Sequence, residues 1–139
     1  MKIEQFPITF NTSGRGTQDI TTVVKTLLSK TTIRQGLCHL FLKHTSASLM
    51  LCENYDPQVR KDLEHFLLRL IPDGDPLFKH VLEGQDDMPA HIRTVLTQTS
   101  LTIPMQNGQF ALGTWQGIYL YEHRYQEQER HLLITVIGD

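Results

Sequence analysis

Three of the seven histidines in this 139-residue chain sit where chemistry could be done. His44 ends the apolar stretch LFLKH and is followed by the hydroxylated residues Thr45, Ser46 and Ser48. Alternation along a strand puts His44 on the same face as Cys38, Leu40 and Leu42, at the rim of an apolar core. Burial there favours neutral imidazole, the metal-binding form. His80 lies in the irregular segment PLFKHVLEGQDDMPAH. His91 follows in the first turn of a helix expected over Pro89–Gln98, where the helix dipole disfavours imidazolium. Three neutral imidazoles with an open fourth position form a site of the catalytic zinc type, able to activate water or polarise a phosphoryl or carbonyl oxygen. Their spacing matches neither HExxH nor CxxC. Each histidine therefore keeps an ordinary alternative: a core imidazole satisfied by a carbonyl for His44, and surface positions for His80 and His91.

Other polar residues could serve such a centre. Glu53 and Asn54 follow an apolar strand and precede a helix cap, so Glu53 is a candidate acid/base or a partner for a histidine. Its plain alternative is to complement the helix N-terminus. Ser46 and Ser48 near His44 are weak nucleophile candidates because no GxSxG elbow is present; their hydroxyls suit backbone or an anion better. In GTWQGIYLYEH, one strand face carries Thr114, Gln116, Ile118, Leu120 and Glu122. The other carries Trp115, Gly117, Tyr119 and Tyr121. Two apolar faces indicate a central strand covered on both sides, at a subunit interface or around a pocket that Gln116 or Glu122 would enter. SGRGT lacks the spacing of either common phosphate loop and reads as a turn.

The elements that must hold these residues follow from periodicity. Residues 2–11 alternate as a strand, and Pro7 suits an edge. Ile20, Val23, Val24, Leu27 and Leu28 form a helical stripe within Gln18–Lys30, with Thr17 or Asp19 as cap. Strands are expected over Leu37–Lys43 and Ala47–Cys52. Asp56 and Pro57 open a helix whose stripe, Val59, Leu63, Phe66, Leu67 and Leu70, should face the core and which Pro72 ends. In the helix Pro89–Gln98, Ile92, Val95 and Leu96 share a face. Strands over Leu101–Met105, Gln109–Glu122 with a break near Gly113, and His131–Ile137 complete the chain, QNG marking a hairpin. This order predicts an α+β fold, a mainly antiparallel sheet against about three helices, as one domain over residues 1–139.

Composition restricts the partners. Hydrophobic content of 40% and charged content of 20% describe a globular chain. A net charge of −2 offers no field for nucleic acid or an anionic membrane, and no apolar run approaches the roughly 20 residues of a membrane span. Cys38 and Cys52 match no metal or redox spacing and read as free thiols of a reducing compartment, the cytoplasm.

The stretches HTSASLMLCENYDP, DDMPAH and GTWQGIYLYEHR, in that order with His80 between the first two, resemble the YjbQ family over nearly the whole chain. The resemblance implies an α+β homotrimer with a metal site at His44, His80 and His91 near a subunit contact. It also implies an activity often labelled secondary thiamine-phosphate synthase, which joins a pyrimidine pyrophosphate to a thiazole phosphate. One departure is Met88, where many members carry asparagine.

Two functions are therefore expected to compete. One is an enzyme with a zinc-like divalent transition ion on His44, His80 and His91, Glu53 as acid/base, and Thr45, Ser46, Asn54, Trp115 and Gln116 around a small phosphorylated metabolite. Imidazole ligands suit zinc better than the magnesium that normally serves pyrophosphate, which makes a hydrolytic or other role the runner-up within that class. The other is a non-catalytic trimer that binds a metal or a phosphometabolite, or whose histidines only line its interface.

Overall fold

The computed structural model describes residues 1–139. Its elements are β1 Lys2–Thr12, β2 Gly16–Asp19, α1 Thr21–Leu28, β3 Gly36–Leu42, β4 Ala47–Glu53, α2 Pro57–Leu70, α3 Asp87–Leu96, β5 Ser100–Gln106, β6 Gln109–Phe110, β7 Gln116–Glu122 and β8 Gln128–Gly138. They form two antiparallel sheets, β1-β8-β3-β5-β6 and β2-β7-β4. The fold is α+β.

Strand alternation builds the core between the sheets. The larger sheet turns Phe10, Cys38, Leu40, Leu42, Leu101, Ile103, Met105, Leu132, Ile134 and Val136 inward. The smaller sheet answers with Ala47, Leu49, Ile118 and Leu120, and α1 closes the layer with Val24 and Leu28. Pro7 sits on the edge strand β1, where its missing N–H breaks no ladder. Asn107 and Gly108, both at positive φ, make the hairpin turn between β5 and β6. Gly36 pairs with Gly138 at the other end of the larger sheet, so close that a methyl on Gly138 would meet the Gln35 carbonyl oxygen at 1.8 Å. Cys38 and Cys52 are unpaired, and burial pushes the Cys38 thiol up to about 12.

Several boundaries and faces differ from the sequence expectation. The first helix begins at Thr21, because Gly16–Asp19 is drawn into a strand beside β7. Neither Thr17 nor Asp19 is its N-cap, although Asp19 Oδ1 accepts the Thr21 N–H at 2.9 Å. The stretch 109–122 is two strands in different sheets, separated at residues 111–115. Helix α3 starts at Asp87, two residues early, and buries Pro89, Ala90, Arg93 and Thr94, whereas Val95 and Leu96 face outward. Helix α2 has the expected cap, Asp56 Oδ1 accepting from Gln58 N at 2.9 Å, with Pro57 in its first turn. Its apolar stripe does not face the core: Leu63, Phe66 and Leu70 are exposed.

The reason lies in the outer face of the smaller sheet, which is polar. There Arg60 lies over the Tyr119 ring, 4.6 Å from its centroid, and Glu64 accepts hydrogen bonds from Tyr121 and Arg93. Arg93 is fully buried, and Ser48 Oγ lies 2.8 Å from His123 Nε2 beneath it. Glu64 gives buried Arg93 its carboxylate partner at Nη1, while Arg93 Nε and Nη2 and His123 Nδ1 have none, so α2 turns its Arg60 and Glu64 edge inward and leaves its apolar stripe to the surface.

Candidate metal centre

Helix α3 and the loop before it build the main cluster. Asp87 stands in the first turn of α3, and His91 follows one turn later on the same side. The loop returns His80 to the same point. The ligand atoms of His80, Asp87 and His91 all lie within 4.8 Å of one another. His80 Nε2 is 2.8 Å from Asp87 Oδ2, and His91 Nε2 is 3.5 Å from Asp87 Oδ1.

The surroundings orient these groups. Asp87 is buried, and Arg124 Nη1 donates to its Oδ1 at 2.8 Å. Arg124 also donates from Nε to Asp86 Oδ2 at 3.0 Å and from Nη2 to the Glu83 carbonyl at 2.7 Å. One buried guanidinium thus ties the end of β7 to the start of α3. His91 Nδ1 faces the Thr45 carbonyl at 3.0 Å. That carbonyl can only accept, so it selects the tautomer with a free lone pair on Nε2, the form a metal ligand requires.

His44 lies beside this cluster rather than in it. Strand β3 ends at Leu42, so His44 sits half-buried in the bend that follows instead of on the core face. Its Nε2 accepts the His131 N–H at 2.7 Å, and the two rings stack at 5.6 Å. Burial and the Arg130 charge hold His44 below the usual histidine range. His44, Thr45 and His91 share a groove of about 750 Å³ with Phe41, Lys43 and Val95. Ser46 is held by Arg130, whose Nη2 donates to Ser46 Oγ at 2.9 Å. Arg130 in turn pairs with buried Glu122, which also accepts from Thr12 at 2.7 Å.

The remaining expected residues lie elsewhere in the chain. Glu53 pairs with Gln116 at the far end of the β4–β7 ladder, six residues from the Ala47–Glu122 pair. At roughly 3.3 Å per residue that separates them from the histidine end by about 20 Å. Gln116 Oε1 closes a local turn by accepting from Gly113 N at 2.8 Å. Trp115 is exposed and edge-on to Tyr55, with ring centroids 5.3 Å apart. Asn54 N donates to the Trp115 carbonyl at 2.9 Å. Within one chain, then, His80 and His91 converge, His44, Thr45 and Ser46 flank them, and Glu53, Asn54, Trp115 and Gln116 form a separate group. Asp87 is a member of the cluster that the sequence expectation does not include. Its signal was present in the i, i+4 spacing of Asp87 and His91 on one helix face.

These features define a small α+β protein with a carboxylate–imidazole cluster beside an open groove. The sequence profile described as UPF0047 protein YjbQ-like matches residues 6–139, and the chain belongs to that family. The UPF0047 protein YjbQ of Escherichia coli O157:H7 is 43% identical over 136 residues, covering 97% of this chain and 98% of the relative. A UPF0047 protein of Synechocystis sp. is 42% identical over 128 residues, covering 92% and 87%. Among solved structures, a YjbQ/UPF0047 protein of Clostridium acetobutylicum superposes with a TM-score of 0.85 at 34% identity, covering 95% of this chain and 99% of the other. A protein of unknown function from Sulfolobus solfataricus reaches 0.87 at 23% identity, covering 99% and 100%, a likeness of fold.

Proposed function

We propose that this protein binds one zinc-like divalent transition ion through His80, Asp87 and His91, and that the ion serves a small phosphorylated metabolite in the adjoining groove. The observation that carries the reading is the buried Asp87 carboxylate between two imidazoles, one of them with its tautomer selected by a carbonyl. Two nitrogen donors and one carboxylate oxygen are a known catalytic zinc set that leaves a position open. Bound there, the ion would polarise a phosphoryl oxygen or activate water. The chain's own residues supply the rest. Arg124 occupies Asp87 Oδ1 and leaves Oδ2 toward His80. Lys43 and the Thr45 hydroxyl offer donors to an anionic group, and Phe41 and Val95 offer apolar walls. His44, already engaged by the His131 N–H, acts in this reading from the groove wall.

The donor set suits zinc chemistry better than magnesium-dependent pyrophosphate departure, so a hydrolytic role stands ahead of thiamine-phosphate formation. A second reading, non-catalytic binding of the ion or metabolite, is favoured by the distance of Glu53, the acid/base candidate, from the cluster. The exposed stripe of α2, together with Leu37 and Phe41 on the outer sheet face, supports assembly of copies of the chain, for which we propose the homotrimer.

Elemental analysis of purified protein, followed by phosphate release from phosphomonoesters and by a thiamine-phosphate synthesis assay, tests these readings. About one ion per chain, lost in His91→Ala, with turnover lost alongside it, is the expected result. Stoichiometric metal without turnover selects the binding reading, and metal-free protein refutes every reading that rests on the ion.

A further inference from the structure

The segment that delivers His80 is built differently from the rest of the centre. Residues 75–84 leave and rejoin the body at one point, where Gly74 N donates to the Gln85 carbonyl at 3.1 Å. Gly74 at φ +70° precedes them and Gly84 at φ +113° is the last of them. Both ends are clamped. Arg15 holds Asp73 through two hydrogen bonds of 2.8 and 2.9 Å, and Arg124 holds the Glu83 carbonyl and Asp86. This is the outline of a compact loop with anchored ends.

Its middle is not clamped. None of residues 76–82 is buried, and Leu77, Val81 and Leu82 lie open to solvent. The turn inside the loop is local, with Phe78 N donating to the Asp75 carbonyl and Leu77 N to its carboxylate. Among residues 76–82, the His80 imidazole makes the one side-chain hydrogen bond to the body of the protein, to Asp87 Oδ2. His91 and Asp87, by contrast, stand on a packed helix. The three donors are therefore two fixed groups and one carried on a hinged arm. They span up to 4.8 Å, whereas donors around a tetrahedral zinc ion stand about 3.4 Å apart. The arm is the part free to contract.

We propose that residues 75–84 form a strap over the metal centre, held shut through His80 when the ion is bound and free to lift when it is not. The proposal rests on the metal reading above and adds its regulation: the ion enters and leaves by displacement of the strap, and its presence is reported to the surface as the position of Leu77, Val81 and Leu82. No covalent step is involved. An open strap loses one of three ligands, so ion binding must favour the shut state.

The loop carries its own probe, because trypsin can cleave after the exposed Lys79, beside His80. Proteolysis of a loop follows the population of its open form when closing is fast. The whole chain is stripped with a chelator, then incubated with trypsin with and without zinc chloride at about a hundredfold excess over its dissociation constant. Cleavage after Lys79 is read by mass spectrometry, zinc retention by elemental analysis, and a chromogenic peptide in the same tube reports any effect of zinc on trypsin. Zinc should slow cleavage after Lys79 at least about tenfold, since Asp87 and His91 retain only part of the affinity when the strap lifts. His91→Ala, which keeps the His80–Asp87 contact but loses an ion ligand, should abolish the slowing. Zinc retained by the wild-type chain with cleavage unchanged overturns the strap and leaves the centre standing. No zinc retained overturns the centre, and the strap with it.

Discussion

Single residues in this protein are placed by what their polar atoms require. Glu122 shows it well: it is buried, and its oxygens accept from Thr12, from Arg130 and from the N–H groups of His123 and Arg124. Through Arg130 it also holds Ser46 beside the groove. Removing its charge leaves a buried guanidinium without its counter-ion, the costly way to break such a pair. Glu122→Gln should lower stability by about 3 kcal/mol in urea unfolding, and a change under 1 kcal/mol would show that the network carries no such weight. Asp87 makes the complementary point about legibility. His80 and His91 could be picked out by type alone. Asp87 lay within a run of two acidic residues, and only its helical offset from His91 distinguished it. That the carboxylate would be buried against Arg124, 37 residues away, follows from the path of β7 and not from its neighbours in sequence.

At the scale of elements, period proved more informative than face. The spacing of α2 gave its extent, its cap and its proline correctly, yet its stripe points outward. The polar face of the smaller sheet demanded Arg60 over Tyr119 and Glu64 beside Arg93, and these contacts outrank a stripe that a surface can tolerate. This inversion has a measurable consequence. Phe66→Ser should cost less than about 1 kcal/mol to the folded chain, whereas Leu40→Ala in β3, fully buried, should cost about 2–5 kcal/mol. Denaturant curves for the two variants distinguish this arrangement from one in which α2 buries its stripe. Sedimentation of Phe66→Ser reports at the same time whether the stripe joins copies of the chain. Helix α3 begins ahead of its proline. Pro89 suits a first turn, but the helix starts at Asp87 and carries the proline in its third position, still free of any N–H it would need to donate.

For the molecule as a whole, two layers of opposite character set the response to pH. The inter-sheet core is apolar except at one end, where Arg130 and Glu122 pair. The layer between the smaller sheet and the helices holds His123, which burial, with the Arg93, Arg15 and Arg130 charges, lowers to about 3. A histidine with a lowered folded pKa binds fewer protons folded than unfolded between about 3 and its ordinary 6.5. Its contribution is therefore complete above 6.5 and is lost progressively as pH falls toward 3, at up to about 1.4 kcal/mol per pH unit. Urea midpoints measured from pH 7 to 4 should fall steeply for the natural protein and less steeply for His123→Gln. Equal slopes would mean that the imidazole is not held neutral in this layer.

Periodicity and turn chemistry were enough to establish the class of fold, the hairpin at Asn107–Gly108, the edge position of Pro7 and the start of α2, because each depends on backbone geometry within a few residues. The same local rules could name histidines but could not assemble them. Which helix face turns inward, where β3 lets go of His44, that residues 109–122 divide between two sheets, and that Asp87 joins His80 and His91 all depend on groups distant in the chain competing to bury apolar surface and to satisfy buried charge. That competition is settled only when the sheets, helices and loops are packed together.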